Sequence, residues 1–77
     1  MEISVIFFGV LAEVAGMNRK HYQGIKSFND LKHRLEDDFP EIVHYNFRFA
    51  VNNEITDEKA LLNDGDEVTC LPPFSGG

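Results

Sequence analysis

Apolar and polar positions along this chain fall into a handful of short, separate patterns. Ile3 to Phe8 reads Ile-Ser-Val-Ile-Phe-Phe and stops at Gly9. A β-branched and aromatic run bounded by glycine predicts a strand. Val10 to Ala15 predicts a short helical turn that Gly16 closes. Lys20 to Ile25 alternates weakly and predicts a hairpin partner for the first strand. Phe28, Leu31, Leu35 and Phe39 then recur at spacings of three, four and four, which is one apolar helical face. Ser27 is expected to cap that helix, Asp30 to sit in its first turn, and Pro40 to stop it. Phe47 to Val51 predicts a strand, and Asn52-Asn53 a turn, because asparagine tolerates positive φ. Glu54-Ile55 begins a short return, Asp64-Gly65 signals another turn, and Glu67 to Leu71 predicts the last strand. Pro72 ends it by removing a ladder donor. One helix across one face of a mixed sheet of four to five strands is an α+β domain, expected over residues 1–71 with a flexible tail at 72–77.

Side chains alternate along a strand. Ile3, Val5 and Phe7 therefore share one face, and Ser4, Ile6 and Phe8 the other. Near the end, Val68 and Cys70 share a face and Leu71 points opposite. A single helix covers one face, leaving Ile6, Phe8 and Leu71 on the open one, with Ile55 beside them. A contiguous apolar patch of that kind is a docking surface for a partner protein. The competing expectation is that the short helix near Val10 or the loop around Val43 covers it.

The chain has 77 residues, 43% of them hydrophobic, and a net charge of −6. It is one domain with a small core. The acidic balance weighs against nucleic acid as a partner, since phosphate contact needs a basic face. Cys70 is the one cysteine, which excludes an internal disulfide and suits a reducing compartment. The apolar stretch from Met1 to Gly16 has Glu2 where a signal peptide carries Lys or Arg, and Glu13 near its would-be cleavage point. No run approaches the roughly 20 apolar residues of a membrane span. A cytoplasmic protein without membrane contact is expected.

His21, His33 and His44 share no metal-ligand spacing and read as surface residues. Cys70 reads as an inert buried thiol, and Glu36-Asp37-Asp38 as a solvated acidic run at the helix end. The glycines form no phosphate-binding loop. No bound cofactor, no metal and no catalytic side chain are expected, so the chemistry falls to the ending, Leu71-Pro72-Pro73-Phe74-Ser75-Gly76-Gly77. Gly76 and Gly77 lack a Cβ and can pass a narrow opening. Pro72 and Pro73 favour an extended arm, which from Pro72 onward reaches at most about 20 Å. Phe74 could anchor the arm in an apolar notch, and Ser75 could hydrogen-bond beside it. The Gly77 carboxylate is ionised at neutral pH and is a poor electrophile, so a partner has to activate it.

The order of elements resembles the β-grasp fold of ubiquitin-like proteins. The residues Asp64-Gly65-Asp66-Glu67-Val68, the Pro-Pro-x-Ser-Gly-Gly ending, Phe7-Phe8-Gly9, Leu11-Ala12-Glu13, Ala15-Gly16 and Ala50-Val51-Asn52 together resemble the small subunit of molybdopterin synthase, a sulfur carrier also called molybdopterin-converting factor subunit 1. Cys70 stands where a larger residue is common in that family. The resemblance implies that an activating enzyme uses ATP to adenylate Gly77 and that sulfur then leaves a thiocarboxylate there. The tail enters the large catalytic subunit, in a heterotetramer of two large and two small subunits, and sulfur passes to cyclic pyranopterin monophosphate. It also implies that Phe8, Ile55 and Leu71 lie at the interface. A carrier for thiamine or tRNA thiolation, a ubiquitin-like modifier that joins Gly77 to lysines, and a binding module with an inert tail are the alternatives.

Overall fold

The computed structural model describes residues 1–57 and 59–72. Among the described residues, five strands form one sheet in the order β2-β1-β5-β3-β4. They are β1 (Ile3–Phe7), β2 (Arg19–Tyr22), β3 (Arg48–Val51), β4 (Glu54–Thr56) and β5 (Glu67–Leu71). The helices are α1 (Val10–Ala15) and α2 (Phe28–Asp38). The hairpins β1–β2 and β3–β4 are antiparallel, β5 runs parallel to β1, and β3 closes antiparallel on β5. The expected α+β arrangement of a mixed sheet and one main helix is what forms.

Each predicted signal has a local cause in the structure. Ser27 Oγ accepts from the Asp30 N–H at 3.1 Å, and the Asp30 carboxylate accepts from the Lys26 N–H at 2.9 Å. Two otherwise orphaned donors at the start of α2 are thereby satisfied. Asn52 and Asn53 turn the β3–β4 hairpin at φ 49° and 74°. Phe28, Leu31 and Leu35 of α2 pack with Ile3, Val5, Phe7, Phe49, Val68 and Cys70 in one buried cluster. Edge-to-face ring pairs tie the layers together: Phe7 with Phe39 at 5.3 Å and Phe28 with Phe49 at 4.8 Å between centroids.

Three expectations about element boundaries need correction. The second strand is Arg19–Tyr22 and not Lys20 to Ile25. Gly24 takes φ +74° and bends the chain, and Ile25 returns to the core with its N–H donated to the Met1 carbonyl at 3.0 Å. The third strand starts at Arg48, while Phe47 lies before it, its ring 5.0 Å from that of Phe49. Pro40 ends α2 but also begins a 3₁₀ helix, Pro40–His44, that buries Ile42 completely. Proline suits a first helical position because its missing N–H would be unbonded there.

The acidic run closing α2 is more than a solvated face. The Tyr22 hydroxyl donates to the Asp38 carboxylate at 2.7 Å, and Lys20 Nζ lies 3.7 Å from the same oxygen. Burial, and then the bond to Asp38, hold the Tyr22 hydroxyl far above its ordinary range. Helix end and edge strand β2 are thus tied together, which offsets the cost of an acid at a helix C-terminus.

Candidate functional site

The site is built around the end of β5, the central strand. Its neighbours there are β1 and β3, so the chain passes from Leu71 to Pro72 with a strand on either side. The ladder continues one step past β1, because the Phe8 N–H donates to the Cys70 carbonyl at 3.2 Å. Leu71 is paired with Arg48 across the β3 side. Phe8, Leu71 and Arg48 therefore stand side by side at the point where the chain departs through Pro72.

The open sheet face continues from this corner. Register places Ile6 beside Thr69, Thr69 beside Ala50, and Ala50 beside Ile55. These four form a row across four strands on the face opposite α2. Thr69 and Ala50 are buried in its middle, because they are small and larger residues flank them. Ile6 and Leu71 are half-buried, while Phe8 and Ile55 are each 53% exposed. The four apolar residues expected on the open face lie on one continuous surface. Neither proposed cover reaches them. Leu11 of α1 and Ile42 of the 3₁₀ helix join the buried cluster on the α2 side, and Val43 is itself exposed.

Charge rings the face. Arg19, paired with Ile6 across β1 and β2, lies 3.3 Å from the Glu67 carboxylate. His21 Nδ1 and Ser4 Oγ are 3.3 Å apart, and His21 Nε2 is 3.8 Å from Glu2. At the far end Asn52 locks the β3–β4 turn to β5: its Oδ1 accepts from the Glu67 N–H and its Nδ2 donates to Asp66, both at 3.0 Å. Sequence reasoning missed this lock and the Phe8–Leu71–Arg48 corner, since both depend on register between strands far apart in the chain.

Cys70 is fully buried on the α2 side, where desolvation pushes its thiol from 9.0 up to about 12. A protonated, enclosed thiol is a weak nucleophile. Among the described residues, no group of three or more His, Cys, Asp or Glu side chains is placed to hold a metal ion, and no helix is long and apolar enough to cross a membrane. A shallow hollow of about 420 Å³ lies beside Ile55, between β4 and the segment through Leu61 and Asn63. Pro72, the first residue of the expected tail, is half-buried. Pro73, Phe74, Ser75, Gly76 and Gly77 lie outside the described residues.

A family model described as the ThiS family matches residues 5–77. The chain belongs to the ThiS family. The molybdopterin synthase sulfur carrier subunit of Chlamydomonas reinhardtii is 36% identical over 84 residues, covering 100% of both chains. The resemblance read from the tail and turns thus holds over the whole length. Among the solved structures that share the fold are two at 25% identity or more. One is a protein–protein complex of subunits 1 and 2 of the molybdopterin-converting factor from Helicobacter pylori, with 25% identity, full coverage of both chains and a TM-score of 0.76. The other is the small archaeal modifier protein 1 of Methanosarcina acetivorans, with 27% identity, 99% and 96% coverage and a TM-score of 0.81. The sheet and helix of this ThiS-family chain are therefore the ubiquitin-like β-grasp arrangement.

Proposed function

We propose that this chain is the sulfur-carrying small subunit of a molybdopterin synthase, with sulfur held on the carboxyl group of Gly77. The observation that carries the reading is the full-length likeness to a molybdopterin synthase sulfur carrier subunit. The geometry supports it, since an apolar sheet face that no described element covers adjoins the point where the tail departs. A carboxylate resists attack because its charge is delocalised over two oxygens. In the proposed sequence, an activating enzyme joins Gly77 to the AMP part of ATP and releases pyrophosphate. A sulfur nucleophile then displaces AMP and leaves a thiocarboxylate. The tail enters a large catalytic subunit docked over Ile6, Phe8, Ile55 and Leu71, in an assembly of two large and two small subunits. Sulfur passes to cyclic pyranopterin monophosphate, and water restores the carboxylate. This chain supplies sulfur and interface, while its partners supply the catalytic side chains, in the cytoplasm.

The likeness to a small archaeal modifier protein supports a second reading, in which Gly77 forms isopeptide bonds with lysines of other proteins. Intact-mass spectrometry of the chain purified from its own cells separates the two. The carrier reading expects a species heavier by the difference between sulfur and oxygen, and transfer of that sulfur to the pterin precursor by a large subunit. Finding only adducts joined through Gly77 to lysines would replace it with the modifier reading.

A further inference from the structure

Gly9 joins β1 to α1 with φ 55° and ψ −131°, a combination that glycine adopts freely and L residues do not. A Cβ added at Gly9 would stand 3.2 Å from Cγ of Pro72. The other described glycines, Gly16, Gly24 and Gly65, also have positive φ, but nothing lies within 4 Å of the corresponding point. Conformation alone accounts for those three. Gly9 meets a second demand, which is room for the ring at the root of the tail.

The glycine side of this contact is held on both flanks. Phe8 donates its N–H to Cys70, and its carbonyl accepts from the Leu11 N–H at 3.0 Å. The Gly9 carbonyl accepts from the Ala12 N–H at 3.0 Å. A side chain at position 9 would press against Pro72 from a fixed base, so the Pro72 ring would have to give way.

We infer that Gly9 is a positioning residue for sulfur transfer: its missing side chain seats Pro72 against the β1–α1 turn and thereby sets where the chain departs from β5. The inference rests on the carrier reading above. Five residues reach at most roughly 18 Å, so the place of Pro72 limits where the carboxyl group can be delivered. A misplacement of about 1 Å at a reacting group costs on the order of 100-fold in rate.

The test is single-turnover sulfur transfer from the thiocarboxylated chain, with saturating large subunit, for wild type, Gly9→Ala, Gly24→Ala, Pro72→Ala and the Gly9→Ala/Pro72→Ala pair. Gly24→Ala controls for positive-φ strain, because nothing lies near its added methyl. Gly24→Ala should stay within about twofold of wild type, while Gly9→Ala slows transfer by about 10- to 100-fold. With Pro72 already replaced, adding Gly9→Ala should cost several-fold less than it does in the wild-type background. Equal losses in Gly9→Ala and Gly24→Ala, or the same Gly9→Ala loss in both backgrounds at position 72, overturn the inference. If Gly9→Ala does not fold, Pro72→Ala decides alone, since it empties the seat without straining residue 9; undiminished transfer then overturns the inference. A wild type that transfers no sulfur would refute the carrier reading instead. The seat itself is still read without any enzyme, as a nuclear Overhauser contact between Gly9 Hα and the Pro72 ring, and its absence in wild type overturns the inference.

Discussion

The two faces of the sheet are made from the same strands and have opposite fates. On the α2 side Ile3, Val5, Phe7, Val68 and Cys70 are buried to 2% exposure or less. On the other, one residue further along each strand, Ile6 and Leu71 are half-buried and Phe8 is exposed. Enclosing a large apolar side chain stabilises a fold by about 1.5–3 kcal/mol. The closed face gains that on folding, whereas the open face leaves part of it unrealised in the isolated chain. Both faces have apolar content, so hydrophobicity alone does not tell a core from an interface. What separates them is the number of covering elements: α1, α2 and the 3₁₀ helix all bury residues on the same side.

The largest expected effect lies outside both faces. Deleting Gly77 is expected to abolish sulfur transfer to the pterin precursor and to leave the thermal unfolding midpoint unchanged, because the proposed chemistry is on the carboxyl group and, among the described residues, the buried core ends at Cys70. Retained transfer would make the tail inert and return all function to the open face. Next in size is the closed face. Leu31→Ala, at a position with 0% exposure, is expected to cost about 2–5 kcal/mol in urea unfolding, a large share of the stability of a domain this small. Phe8→Ala is the matching change on the open face. It is expected to alter stability by less than about 0.5 kcal/mol while weakening binding to the large subunit by about 10- to 100-fold, the range of a central interface residue. A stability loss as large for Phe8 as for Leu31 would erase the distinction between the faces.

How far this was legible in the sequence depends on range. Helix α2, its Ser27 cap and the Asn52-Asn53 turn follow from neighbouring residues, and all three formed where the pattern placed them. The open-face residues Ile6, Phe8, Leu71 and Ile55 followed from strand alternation and the count of one long helix. The 3₁₀ helix was missed because Pro40 was read only as a stop, although proline also opens helices. The extent of β2 was misread because weak alternation continued past Tyr22 into the turn at Gly24. The Tyr22–Asp38 bond, the Asn52 lock and the Gly9–Pro72 contact join residues far apart in the chain, and no local pattern encodes them. The chemistry proposed for the tail comes from family resemblance and not from periodicity.

A smaller effect tests the dryness of the closed face. Burial holds the Cys70 thiol up to about 12 from an ordinary 9.0. The unfolded chain therefore releases this proton near pH 9 while the folded chain keeps it. Above pH 9 the unfolded state binds fewer protons, so stability falls as pH rises, by at most about 1.4 kcal/mol per pH unit for one group. Tyr22, also held protonated, adds a decline of the same sign at higher pH. Urea unfolding between about pH 8 and 10 should show this loss in wild type and a shallower one in Cys70→Ala. Identical slopes would mean that water reaches the thiol and that the core is less closed than its packing indicates.

The smallest effect belongs to the rim of the open face. Arg19 and Glu67 lie 3.3 Å apart, with side chains 57% and 41% exposed. Solvent screens an ion pair so exposed, which contributes about 0–1 kcal/mol. Glu67→Gln is expected to change stability by less than about 0.5 kcal/mol in urea unfolding, because the backbone N–H of residue 67 still donates to the Asn52 amide oxygen. A loss above about 2 kcal/mol would put this pair in the class of buried, desolvated charges. The open face would then be part of what holds the fold together, and a partner could not dock there without competing with the fold for the same interactions.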